Sequence, residues 1–311
     1  MLRYVAKRLL EVVPTTFGIL LLTFLLFNVV GGSPAVAVLG KNATAESIAA
    51  FNHRFGYDKP LVFALDSQLT SFIGNLARGD FGYSTELNEP VADILKRGVG
   101  PSLSLTLPIL AGGTIVALML ALVASANRGG FADKAVLFVS TVLMSVNYVV
   151  WVLAGQFLLA YKAGWFPIWG YAGAQFLALP VLIGIVSSLG VDVRFFRTAI
   201  LDEMYRPYVL TARAKGLSRA VIMVRHVLRN ALIPIVTYVS LSIPYLFTGS
   251  ILLESFFGIP GLGSVSVNAI HSSDMAVVRA IVVLGALLYQ FVNLATDLLY
   301  ALLDPRVRLA K

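Results

Sequence analysis

Residues 102–126 read SLSLTLPILAGGTIVALMLALVASA, and no charged side chain occurs between Arg97 and Arg128. A helix needs about 20 apolar residues to cross a bilayer core, and each charge inside that span costs a few kcal/mol. This stretch is therefore read as a transmembrane helix. Working outward, the same test finds uncharged gaps from Glu11 to Lys41, Lys134 to Lys162, Lys162 to Asp192, Arg229 to Glu254 and Arg279 to Asp297. Trimmed by Pro and Gly, six helices are predicted near 10–31, 102–126, 135–160, 172–191, 230–253 and 276–300. In the last, Arg279 reaches outward along its own aliphatic stem.

Composition agrees. The 311 residues are 58% hydrophobic and 13% charged, with mean hydropathy +0.84. Soluble domains carry nearer a quarter charged residues, because their surface must be solvated. No cysteine is present, which excludes disulfides, thiolate metal sites and a cysteine nucleophile. His53, His226 and His271 fall in three separate polar segments, so a metal cluster is not expected.

The first hydrophobic segment begins as a signal peptide would. Arg3, Lys7 and Arg8 form a basic leader, but the uncharged core from Val12 to Val30 exceeds the 7–15 residues or so of such peptides. An uncleaved anchor is expected. With the N-terminus inside, segments 1–11, 127–134, 192–229 and 301–311 carry 16 of the 24 Lys and Arg residues. Six of the other eight lie in the long segment 32–100, where translocation largely ignores charge. The bias predicts an N-in, C-in topology. It also explains the net charge of +8 without nucleic acid.

The chain thus divides into an N-terminal basic segment with helix 1 (1–31), an extracytoplasmic helical segment (32–100) and a five-helix core (101–311) holding an inner loop at 192–229. In the outer segment Thr44 is placed to cap a helix with Glu46 in its first turn, Ile48, Phe51 and Phe55 on one face and Gly56 at its end. A second helix is expected after Pro60, with Leu65, Leu69, Phe72, Ile73 and Leu76 on one face.

Catalytic signals are absent. There is no phosphate-cradling G-x-x-x-x-G-K-[ST], no H-E-x-x-H and no G-x-S-x-G. Glu254 and Asp297 sit near opposite ends of their helices, unlike a paired-aspartate intramembrane protease. Ion-coupled secondary transporters keep ionisable groups near mid-membrane, a signal not seen here. A channel or secondary transporter subunit remains the alternative reading from six helices alone. The polar residues within the spans, Asn147, Gln156, Gln175 and Asn293, are candidates for lining a substrate pathway or for hydrogen bonding between helices.

The inner loop 192–229 carries eight basic and three acidic residues. Within it Pro207 suits a first helical turn, Ala212 and Ala214 are small, and Gly216 is placed to end the helix. Such a helix can seat in a groove on a partner; a solvated basic tether is the other reading. The run Tyr208-Val-Leu-Thr-Ala-Arg-Ala-Lys-Gly216, followed by Arg225-His-Val-Leu-Arg-Asn-Ala-Leu-Ile-Pro234, resembles the cytoplasmic signature of permeases in the dipeptide/oligopeptide/nickel family of ABC importers. Gly56-Tyr-Asp-Lys-Pro-Leu61, Gly79-Asp-Phe-Gly-Tyr-Ser84, Gly249-Ser-Ile-Leu-Leu-Glu254, Ile259-Pro-Gly-Leu-Gly263 and Asp297-Leu-Leu-Tyr-Ala-Leu-Leu-Asp-Pro-Arg306 are similar to further family segments in order. Two places depart from it, Gly31-Gly-Ser-Pro34 and Ser273-Asp-Met275. The coupling segment also has Leu210-Thr211-Ala212 where ABC permeases in general carry Glu-Ala-Ala.

The resemblance implies a permease subunit in a bacterial-type cytoplasmic membrane, moving peptides or peptide-like solutes. Its implied partners are a second homologous permease, two cytoplasmic ATPases and an extracytoplasmic substrate-binding protein. ATP and Mg would then sit on the ATPases, with no cofactor on this chain. Tyr208, Thr211, Ala212, Arg213, Ala214, Lys215 and Gly216 would couple it to them.

Overall fold

The computed structural model describes the chain apart from Met1, Gly31, Gly32, Pro34, Lys41, Asn42, Phe63, Leu65, Gly249 and residues 304–311. The side chains of residues 2–9, 30, 37, 38, 245, 247, 248 and 297–303 are likewise not described. Most of the Gly31–Pro34 departure, Leu65, the Asp297 side chain and the Asp304-Pro-Arg306 end therefore lie outside the described residues.

The chain is mostly helical. Helix α1 (Leu2–Phe24) passes into a π-helical turn, Leu25–Val30. Short helices α2 (Ala35–Leu39), α3 (Ala45–Phe55) and α4 (Gln68–Ala77) follow, then a hairpin of β1 (Tyr83–Ser84) and β2 (Glu89–Pro90). Next come α5 (Val91–Ala126), α6 (Phe131–Ser145), α7 (Tyr148–Gly155, continued by a π-helical turn to Lys162) and α8 (Ala174–Met204). The rest is α9 (Pro207–Ala214), α10 (Arg219–Ser240), α11 (Ile243–Thr248), α12 (Ile251–Phe257), α13 (Leu262–His271) and α14 (Met275–Leu303). Five helices are long and apolar enough to cross a membrane, and up to seven spans result if the broken pairs α6–α7 and α12–α13 each count as one.

The capping expectations in segment 32–100 hold locally. The Thr44 side chain accepts the Ser47 N–H and Gly56 closes α3 at φ 73°. The second helix begins later than Pro60 suggests, because Ser67 provides the cap by accepting the Thr70 N–H.

Four boundaries differ from the sequence reading. Helix α5 starts at Val91 rather than 102: Val91, Ile94 and Leu95 are buried, and that apolar face outweighs the single donor lost at Pro101. The helix expected over 135–160 is broken, with α6 and α7 bent by 91°. Asn147 causes the restart, its side chain accepting the Val149 N–H at 2.9 Å as an N-cap. Helix α8 continues well past 191, so most of the supposed inner loop 192–229 is helical. The helix expected over 230–253 is instead the end of α10 followed by α11 and α12, separated at Leu241–Ser242 and around Ser250.

The chain forms two compact units, residues 1–101 with 260–311, and residues 102–259. In the first, a core joins Val91, Ile94 and Leu95 to Leu262 and Ala269 of α13 and to Val277 and Ala280 of α14. Asp274 is buried there, accepting the Ser84 hydroxyl of the hairpin and the Val277 N–H in the first turn of α14. In the second unit, glycines let helices approach closely, as small residues do between membrane helices. A Cβ at Gly190 of α8 would lie 2.6 Å from Met144 Cγ and 2.9 Å from the Ser140 carbonyl of α6. A Cβ at Gly184 would lie 2.5 Å from Ile109.

Candidate functional site

Helix α9 is short, so its sequence must define both ends. Pro207 at its first position lacks only a donor that a first turn leaves unpaired. At the other end the Leu217 N–H reaches the Ala212 carbonyl at 3.3 Å, and the Gly216 N–H reaches the Arg213 carbonyl at 2.9 Å. Gly216 has φ 74°. These paired bonds form a Schellman motif, in which the left-handed residue is glycine because a Cβ is costly there.

The two faces of α9 have different surroundings. Val209 and Ala212 are 1% and 6% exposed, packed in one cluster with Ile222, Met223 and Val227 of α10 and Val193, Phe196 and Ile200 of α8. Full burial of a valine contributes roughly 1.5–3 kcal/mol, so α9 is held to both long helices. The outer face presents Leu210, 64% exposed, with Thr211, Arg213, Ala214, Lys215 and Gly216. Ala212 therefore does not offer its methyl group to a partner; it permits close packing inside this chain. Of the two small residues, Ala214 is the outward one.

Polar contacts stiffen the base of α9. The Tyr208 hydroxyl donates to Glu203 Oε2 at 2.7 Å, and Glu203 pairs with Arg206 at 3.6 Å. Burial, followed by that bond to Glu203, raises the Tyr208 phenol above its ordinary pKa, so it stays a neutral donor. Arg219 donates to the Ala126 carbonyl at the end of α5. The Arg128 guanidinium stands 4.8 Å over the Tyr205 ring. At the start of α6, Asp133 takes two hydrogen bonds from Arg197 of α8, at 2.7 and 2.8 Å, and one from the Gly129 N–H at 2.9 Å. Both side chains are largely buried, so the fork fixes the 127–134 turn against α8.

The proposed pathway residues each have their own surroundings. Asn147 caps α7, and Gln156 donates to the Ile168 and Phe256 carbonyls, both at 3.0 Å; these bonds give each a structural role. Gln175 is exposed in the first turn of α8, and Asn293 is half-buried in α14. Among the described residues, no hydrogen bond links Asn147, Gln156 and Gln175 to one another.

Two sets of polar contacts escaped the sequence reading. Asp133 and Arg197 are 64 positions apart, and no local pattern announces their pairing. Glu254 is fully buried in α12, accepting the Ser102 hydroxyl at 2.8 Å and the Ser250 N–H at 3.1 Å. It lies in the first turn of α12 and anchors the break before that helix. Its lone position in a long apolar stretch was the available signal.

Residues 113–309 match the family described as binding-protein-dependent transport system inner membrane component. Residues 1–106 match the corresponding N-terminal family of these membrane components. The chain is 34% identical over 311 residues to the glutathione transport system permease protein GsiC of Shigella flexneri serotype 5b (strain 8401), covering 99% of each chain. It is 33% identical, with the same coverage, to GsiC of Escherichia coli (strain K12). The chain belongs to the binding-protein-dependent transport system inner membrane components, and it is a permease subunit of an ABC importer of the bacterial inner membrane.

Proposed function

We propose that this chain forms half of a translocation pathway for small peptides or peptide-like solutes, glutathione among them, and that α9 couples it to a cytoplasmic ATPase. A second homologous permease, two ATPases and an extracytoplasmic binding protein complete the assembly. The chain itself neither binds nor hydrolyses ATP; nucleotide and Mg belong to the ATPases. The charge bias supports an N-in, C-in arrangement, with segment 32–100 outside.

One observation carries the coupling reading. Helix α9 has a buried face joined to α8 and α10 and an exposed face bearing Leu210, Arg213 and Ala214. A push on the exposed face is thereby transmitted to two long helices, as a rigid two-state element requires. A solvated tether would not need Val209 and Ala212 in a core.

Cross-linking tests this. Ala214→Cys in the assembled transporter should cross-link to the ATPase, with a yield that changes between ATP-bound and nucleotide-free states. Equal labelling of Ala214→Cys by a water-soluble maleimide with and without the ATPase present would remove α9 as the docking element.

A further inference from the structure

The first compact unit holds a polar cavity of about 610 Å³ between the π-helical turn after α1, helices α3 and α4 and the first turns of α14. A second of about 510 Å³ adjoins it, and both are lined by Arg54, Asn75, Asp80 and Arg279. The sequence reading left Arg279 as a residue reaching outward from a span; the structure gives it a built position. Gln68 is buried and donates to the Tyr57 and Lys59 carbonyls at 3.0 and 2.8 Å, which fixes its amide. Its oxygen accepts from Asn28 at 3.0 Å, which turns the Asn28 oxygen toward Arg279 Nη1 at 3.3 Å. The Arg279 guanidinium also lies 5.4 Å over the Phe72 ring.

A guanidinium has five donors, so this single bond from Nη1 leaves the Nε–Nη2 edge of Arg279 for a bidentate partner. Arg54, Arg78 and Arg279 all line the larger cavity, and none has a carboxylate partner within 4 Å among the described residues. Asp80 supplies one negative group, its side chain accepting only the Gly82 N–H among the described residues. Three cationic forks and one carboxylate complement a solute with more carboxylates than ammonium groups. The volume falls within the range of small-molecule sites.

We propose that this cavity is a binding site for a small peptide-like solute of net negative charge, with Arg279 taking a carboxylate in a bidentate pair and Asp80 facing the ammonium group. The proposal rests on the peptide-importer reading and names the charge class that the importer receives. Arg279 is a binding residue, and Asn28 and Gln68 position it.

The test uses the assembled transporter without its binding protein, in phosphatidylcholine nanodiscs, with Asn75→Cys as the sole cysteine of this chain and Ser71→Cys as a second reporter. Maleimide labelling is read from this chain's band. The probe is S-methylglutathione, which has two carboxylates, one ammonium group and no thiol; its dimethyl ester and inorganic phosphate are the comparators. S-methylglutathione should slow labelling and the diester should not. Arg279→Gln should raise the probe concentration needed by at least about tenfold, with Arg279→Lys in between, because lysine keeps the charge but not the fork. Equal protection by the diester, or unchanged protection in Arg279→Gln, would overturn the proposal. So would protection by phosphatidylglycerol or by ligand-free binding protein in place of the probe, which would assign the cavity to a lipid headgroup or to protein docking. ATP-driven uptake measured on the same preparation, with binding protein added, keeps the two readings apart. Uptake without protection refutes the cavity alone, whereas no uptake of any peptide refutes the importer reading.

Discussion

Replacing Ala212 and Ala214 by tryptophan separates the two faces of α9 by experiment. Ala212 is 6% exposed and shares a cluster with Val209, Ile222 and Met223, so an indole there has no room. Overpacking of this kind costs about 1–3 kcal/mol, which shifts a two-state equilibrium by a factor of roughly 5 to 150. Ala212→Trp should therefore lower the melting temperature of the chain and loosen α9 from α8 and α10 before any partner is added. Ala214 is exposed, and substitutions at such positions usually change stability by no more than about 0.5 kcal/mol. Ala214→Trp should melt like the wild type and still lose ATPase co-purification and ATP-driven uptake. Fluorescence-detected size-exclusion melting of each variant, followed by uptake in proteoliposomes, reads both effects. The reasoning is refuted if Ala212→Trp melts like the wild type, or if Ala214→Trp assembles and transports normally.

Other variants probe the frame around α9. Arg197→Met leaves Asp133 buried without its guanidinium and should destabilise the chain by about 3–5 kcal/mol, whereas Asp133→Leu with Arg197→Met should recover most of that in a melting assay. Gly190→Ala should lower the melting temperature by forcing α8 away from the α6 backbone, since its Cβ would meet the Ser140 carbonyl at 2.9 Å. Gly258→Ala combines φ 68° with a Cβ only 2.1 Å from the Trp169 ring, and should yield less folded protein than Gly164→Ala, where φ is 67° and the space is open. Glu86→Cys and Ser272→Cys should label with an impermeant maleimide on sealed cells and Ser218→Cys should not; the reverse pattern would invert the topology.

The membrane class and the places of the first and last apolar helices were legible because charges are excluded from lipid, a constraint that acts on every residue in a span. The α3 caps and the ends of α9 were legible for a similar reason, since Thr44, Pro207 and Gly216 act on their own backbone. Apart from the local Asn147 cap, what was hidden depends on partners distant in sequence. Asn147 breaks a continuous apolar run by accepting one N–H, and hydropathy does not register a side-chain cap. Helix α5 extends back to Val91 because Leu262 and Val277 bury its first turns. Ala212 and Ala214 look equivalent as small residues, and only the packing of α8 and α10 distinguishes inside from outside. The Asn28–Gln68–Arg279 relay likewise joins residues up to 251 positions apart.

The most direct test of the central claim is uptake of labelled S-methylglutathione into proteoliposomes that contain either this chain alone or the complete assembly with binding protein. The account predicts accumulation only in the complete assembly and only with ATP, abolished by Ala214→Trp in this chain. Uptake or ATP hydrolysis by the purified chain alone, free of contaminating ATPase, would contradict it.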